Sequence, residues 1–246
     1  MIGPVYDVFA AERLPSVAAE VLATVTQQAV ERRGVAHIAL SGGSTPRSLF
    51  RLLANPEWQA QVPWAHVHVW WVDERCVPPD HPDSNYAVAY TLLLGHLSVV
   101  HVHRLRGEAE DPAVAAAAYE AELRQVFRLG PTSPPRFDLI LLGMGADGHT
   151  ASLFPGTQAV EEAHRLVTVG AAPVAPFRRL TLTLPVLNRS AYCLFLVAGA
   201  DKGPALTRVF WPQPQEPLSP AGRVDLSNGR LFWLLDTAAA EAAGLP

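Results

Sequence analysis

The sequence predicts an open α/β protein of doubly wound type, with a mainly parallel sheet and helices on both faces. Three observations predict it. Apolar runs of strand length alternate with longer stretches of helical periodicity along the 246 residues, which implies parallel pairing through right-handed crossovers. Several of those runs, such as Leu139-Ile140-Leu141-Leu142, are apolar without alternation, as in strands buried on both faces. Glycine- and hydroxyl-rich stretches follow these runs directly, at the sheet edge where open α/β proteins place their chemistry.

Taken in order, residues 5–9 read as a first strand, and residues 12–33 place Leu14, Val17, Ala18, Val21, Leu22 and Val25 on one helical face, with Gly34 as the stop. Residues 35–40 read as a strand and 46–53 as a helix opened by Pro46. A third strand, 67–72, runs into Asp73-Glu74-Arg75 and a proline-rich loop, and Asp83-Ser84-Asn85-Tyr86 caps a helix towards Leu94. Residues 99–105 are a short strand candidate, 112–129 a long helix, and 139–142 a buried strand from which the chain turns, near His149, into a short helix. Beyond it, 166–169, 180–184, 192–197 and 231–235 are strands, with helices over 203–209 and from Asp236, and a proline-rich loop over 212–220. No repeat or linker divides the chain, so a single domain over 1–246 is expected.

Composition narrows the function. Net charge is −4 with no basic run, which argues against nucleic acid as a partner. No segment combines the length and freedom from charge of a membrane span. Residues 1–7 lack the basic region and apolar core of a signal peptide, and Cys76 and Cys193 form neither a metal spacing nor a disulfide framework. A cytoplasmic enzyme is expected. Lys202 is the sole lysine in an arginine-rich chain, as when codon bias converts every lysine but one that needs a compact ammonium.

The chemistry-bearing residues gather at strand ends. Ser41-Gly42-Gly43-Ser44-Thr45-Pro46 joins a strand to a helix start, and its successive N–H groups, hydroxyls and positive helix end suit one phosphate. Without a Gly-Lys-Ser/Thr ending, it fits a phosphorylated small molecule better than ATP. Arg75 can fork onto phosphate oxygens, and Asp73 can hold a hydroxyl, water or imidazole. Gly143-x-Gly145-x-x-Gly148 resembles a dinucleotide-binding pattern, but it comes past mid-chain, lacks the later acidic residue, and crowds Asp147 and His149 into a loop that should be neutral. His149 instead brings a group able to move protons near neutral pH. His66-x-His68 and His101-x-His103 place pairs on one strand face but lack a clear third ligand for a metal. Taken singly, the plainer readings are a capped turn, a surface ion pair and a structural histidine.

Taken together, the stretch 41–46, Asp73-Glu74-Arg75-Cys76-Val77-Pro78 with Ser84-Asn85-Tyr86, and Gly143-Met144-Gly145-Ala146-Asp147-Gly148-His149-Thr150-Ala151-Ser152-Leu153-Phe154-Pro155 resemble the 6-phosphogluconolactonase family. So do residues 179–188 and Gly199-Ala200-Asp201-Lys202. The resemblance implies the sugar-phosphate isomerase-like, modified Rossmann fold shared with glucosamine-6-phosphate deaminase, without nucleotide. It implies hydrolysis of 6-phospho-D-glucono-1,5-lactone to 6-phosphogluconate in the oxidative pentose phosphate pathway, with no metal or organic cofactor. The sister deaminases carry Asn-Glu-Pro downstream of their Gly-Asp-Gly-His-type loop, and their glutamate serves isomerisation; here the place reads Leu153-Phe154-Pro155, which favours the lactonase.

The expected site follows from this. His149 is the general base that activates water, and Asp73 and Asp147 orient water, hydroxyls or the imidazole. Phosphate sits on Gly42, Gly43, Ser44 and Thr45, with charge from Arg179 and Lys202 and help from Arg75. N–H groups around Gly143 and Gly145, or Arg75, serve the oxyanion. A sugar-phosphate isomerase or deaminase and a non-catalytic sugar-phosphate sensor domain are the rival functions. Sensors of this fold carry a helix-turn-helix segment ahead of it, for which the residues before Val35 leave no room beside the first strand and helix.

Overall fold

In the computed structural model, which describes residues 5–98, 101–226 and 228–245, the chain opens with β1 (Val5–Phe9) and α1 (Leu14–Arg33). Helix α1 buries Leu14, Ala18, Leu22 and Val25 of the face its spacing predicts, leaves Val17 and Val21 half-buried and adds Ala29, and Gly34 ends it in the left-handed conformation at φ 76°. Next come β2 (Ala36–Leu40), α2 (Pro46–Leu53), α3 (Pro56–Gln61), β3 (Val67–Trp71), β4 (Asp73–Arg75), α4 (Asn85–Leu92), β5 (His101–Val102), α5 (Pro112–Val126) and β6 (Leu139–Leu142). The second half holds β7 (Val167–Ala171), β8 (Arg178–Leu182), α6 (Leu184–Leu187), β9 (Tyr192–Val197), α7 (Gly203–Phe210), β10 (Arg230–Asp236) and α8 (Thr237–Ala243).

Among the described residues seven strands form one sheet in the order β1-β10-β9-β6-β2-β3-β5, and every pair within it is parallel. Successive residues of a strand face opposite sides, and all four of β6 are buried, so this centre of the sheet is covered on both faces. The strand order turns back between β2 and β6: β3 and β5 lie to one side, and the later strands to the other. Such a reversal opens a crevice at the C-terminal strand ends. The core on the β9–β10 side is anchored by Phe195 and Trp233, whose rings stack at 3.8 Å.

Three expectations are corrected. Asp73-Glu74-Arg75 is not a loop but β4, the edge of a second, antiparallel sheet ordered β4-β8-β7. No helix starts at His149; residues 143–155 form turns, with a short 3-10 turn only at Gln158–Glu161. The strand expected over 99–105 is confined among the described residues to His101–Val102, Val99 and Val100 lying outside them. No described helix is long and apolar enough to cross a membrane.

Candidate active site

A cleft of about 210 Å³ lies over the crevice between β2 and β6. Its first wall is the loop after β2, with Gly42, Gly43, Ser44 and Thr45 all facing it. Ser41 Oγ donates to Leu141 O at 2.8 Å and so ties this loop to the neighbouring strand. Thr45 makes no side-chain capping bond to α2, so the hydroxyl does not cover the positive helix end. A side-chain atom on Gly42 would come within 1.7 Å of Asn85 Oδ1; glycine is needed there for space.

Strand β4 forms the second wall. Alternation sends Asp73 and Arg75 to the cleft. Asp73, 6% exposed, is gripped on both oxygens: Ser152 Oγ donates to Oδ2 at 2.7 Å and Asn85 Nδ2 to Oδ1 at 3.2 Å. A carboxylate so held is an acceptor for a hydroxyl or water. Arg75 Nη1 donates to Asp83 O at 2.6 Å, while its buried Nε has no partner among the described residues. The guanidinium is thus anchored at one corner and open at another.

The loop after β6 supplies the third wall. Asp147 Oδ1 accepts from His149 Nδ1 at 2.6 Å and from the His149 backbone N–H at 3.0 Å. Burial alone would raise the Asp147 pKa, but these bonds and the imidazole charge outweigh it and hold it below the usual carboxylate range. An ionised carboxylate oxygen can only accept, so Nδ1 carries a proton, and in the neutral ring Nε2 holds the lone pair. The Phe154 ring packs on the imidazole, with centroids 4.3 Å apart. A Cβ on Gly145 would fall 2.1 Å from His149 Nδ1, so the dyad fits only over a glycine. Gly145 N–H donates to His149 O at 2.9 Å, which removes it as an oxyanion donor. The end of the proline-rich loop braces this wall, Ala221 N–H donating to Gly148 O at 3.0 Å.

Lys202 completes the cleft from a 3-10 turn after β9, its Nζ 2.8 Å from Asp201 Oδ2. Two expected residues do not line it. Asp147 stands against His149 instead, and Arg179, 6% exposed, is the cross-strand partner of Arg75. Burial, then the charge on Arg75, lowers the Arg179 pKa, and its Nη1 has no partner among the described residues. Asn85, Ser152 and Phe154 were not expected as site residues. Asn85 and Ser152 stand inside the family-like stretches, but no role is legible for them there beyond the cap at Asn85, since each has its partner, Asp73, on β4. The histidine pairs meet through His68 and His103, Nδ1 to Nε2 at 2.8 Å with the rings stacked, but no group of three that could hold a metal occurs among the described residues.

Fold and cleft define an α/β protein whose topological switch point gathers backbone N–H groups, hydroxyls and a lysine beside a histidine hydrogen-bonded to a carboxylate. The family model for glucosamine-6-phosphate isomerases/6-phosphogluconolactonase matches residues 10–233, and the chain belongs to that family. It is 42% identical to the 6-phosphogluconolactonase of a Nostoc species over 89% of this chain and 90% of that one. It is 45% identical to that of a Synechocystis species over 87% of each. The solved structure of 6-phosphogluconolactonase from Trypanosoma brucei superposes with a TM-score of 0.86 at 28% identity, covering 97% of this chain and 98% of that one.

Proposed function

We propose that this chain hydrolyses 6-phospho-D-glucono-1,5-lactone to 6-phosphogluconate in the oxidative pentose phosphate pathway. The observation that carries the reading is His149, backed by Asp147 at 2.6 Å, facing the same cleft as the loop after β2. Where an isomerising relative would need a glutamate, Phe154 presents a ring to the imidazole. Hydrolysis needs one base and a water; enediol chemistry needs a further carboxylate.

In this reading Nε2 of neutral His149 takes a proton from a water as its oxygen attacks C1 of the lactone. The imidazolium returns that proton to the ring oxygen as the C1–O5 bond breaks, leaving the carboxylic acid, which ionises in water. Asp147 stays ionised and steadies the imidazolium. General acid–base help of this kind is worth ~10²–10⁴ in rate. Phosphate lies on Gly42 to Thr45 with Lys202 supplying charge, to which Arg179 adds only from outside the lining, beside Arg75; Arg75 helps there or, with Gly145 engaged, serves the oxyanion. Asp73 holds a hydroxyl or the water. A cytoplasmic location belongs to the same reading.

The test is a coupled assay with lactone generated in situ, following 6-phosphogluconate above the spontaneous background. Acceleration that disappears in His149→Ala supports both reaction and base. Binding of 6-phosphogluconate without acceleration overturns the enzyme reading in favour of a sensor.

A further inference from the structure

Between the two cleft-facing residues of β4 stands Glu74, pointing the other way and 2% exposed. Its Oε1 accepts from the backbone N–H groups of Arg75 and Asn85, both at 2.7 Å. Its Oε2 accepts from Ser84 Oγ at 2.9 Å and Tyr86 N–H at 2.8 Å. One carboxylate therefore receives the first two N–H groups of α4, that helix's capping hydroxyl and the amide of its own neighbour.

Burying a carboxylate costs desolvation, and the four donors offset that cost; an apolar side chain in its place would leave all four without a partner. Burial does raise the Glu74 pKa, against the pull of the bonds from Tyr86, Asn85, Arg75 and Ser84. What the carboxylate fixes is position. Strand β8 holds one edge of β4; Glu74 fastens it to the start of α4. The first residue of that helix is Asn85, whose Nδ2 donates to Asp73 O at 2.9 Å as well as to the Asp73 carboxylate. The same side chain abuts Gly42 on the opposite wall.

We propose that Glu74 is a positioning residue for the cleft, setting Asp73 through the N-terminus of α4 and Asn85, and setting Arg75 through its own strand. It touches no substrate. Its effect on turnover rests on the lactonase reading; its effect on ligand grip does not.

Glu74→Gln tests it. An amide nitrogen cannot accept from a backbone N–H, so at least one donor is orphaned. KM for the lactone is expected to rise about tenfold, with any loss of kcat no larger than that rise, because Asp73 and Arg75 are displaced while the dyad sits on a different loop. Calorimetric Kd for 6-phosphogluconate should weaken by the same factor at a temperature where circular dichroism shows the variant folded. Ser84→Ala, which deletes one donor and leaves the charge, should move KM and Kd the same way by about threefold, and carries the test if Glu74→Gln does not fold. Unchanged KM and Kd in a variant that melts lower would reduce Glu74 to a fold stabiliser and overturn the proposal, as would a fall in kcat alone. A wild-type chain that binds 6-phosphogluconate without hydrolysing lactone would sink only the lactonase reading, and the Kd comparison would still decide on Glu74.

Discussion

A single oxygen of Asp147 holds His149 twice, by the backbone N–H at 3.0 Å and by Nδ1 at 2.6 Å. The carboxylate thereby fixes the turn of the chain and the tautomer of the ring together. In Asp147→Asn the amide keeps the size but loses the charge opposite the imidazolium. In buried triads such a change reduces kcat by up to ~10⁴. The Asp147 side chain is 44% exposed, and solvent screens part of the effect, so a smaller loss of about 10–10²-fold is expected, with KM near wild type. Steady-state kinetics would check it; wild-type kcat would remove Asp147 from the mechanism.

Gly145→Ala should act through the same pair. The added carbon would lie 2.1 Å from His149 Nδ1 and 2.6 Å from Asp147 Oδ1, closer than any real contact, so the ring must swing away. We expect kcat to fall about as far as in His149→Ala, ~10²–10⁴. Retained affinity for 6-phosphogluconate is the accompanying signature, since the loop after β2 is untouched. Turnover close to wild type would mean that the dyad tolerates displacement.

Lys202→Ala should show the opposite split. One charge-assisted hydrogen bond is worth about 1.5–3 kcal/mol, which corresponds to a rise in KM of roughly 10–10²-fold. Inorganic phosphate should compete less well in the variant, with kcat reduced far less than KM rises. An unchanged KM would place the phosphate elsewhere.

Acid should weaken the fold through its histidine ladder. His37, His68 and His101 lie in one cross-strand row over β2, β3 and β5, with His103, Glu122 and Arg33 around them. Burial, then the charges of His68, His103 and Arg33, lowers His37 to about 3. Burial, then His103 and His101, lowers His68 to about 4. Both values lie below the ordinary 6.5 of histidine, so as pH falls the unfolded chain binds protons that the folded chain refuses. Stability is full above about pH 6.5 and declines as pH drops towards 4 and then 3. Thermal melts between neutral and acid pH should show this decline, less steeply in His37→Gln; equal slopes would exonerate the ladder.

Much of the fold is legible because its central strands are continuous apolar runs between glycine and proline punctuation; β6 and β9 fall on the expected residues. Strand β4 was not, since its three residues are all polar and its partner β8 lies more than a hundred residues away. Helix α3 buries none of its residues, and so leaves no apolar stripe to detect. The loop at His149 carries the glycines of a helix entry, but its amides close on one another, Gly148 N–H donating to Gly145 O at 2.9 Å. Site residues on strand-end loops could be read from composition and order. Asn85 and Ser152 lie within the family-like stretches, but their role could not be read there, because it is to hold Asp73 across the fold, and pairings between separate segments leave no local pattern.

The tie between Ser41 and Leu141 makes the cleft a ruler. It links the loop after β2 to the strand that delivers His149, and Lys202 follows the next strand along, β9. Neighbouring strands cannot be drawn apart or pressed together by more than a fraction of their spacing of about 4.8 Å. In the proposed mechanism, the distance between the phosphate loop and His149 would thus be graduated by the sheet's backbone hydrogen bonds and one buried serine tie. A phosphosugar one carbon shorter, seated by its phosphate, would present its carbonyl short of the mark. Selectivity for chain length would then be a property of the sheet, and mutations confined to the cleft surface would shift affinity more readily than they would change which length is accepted.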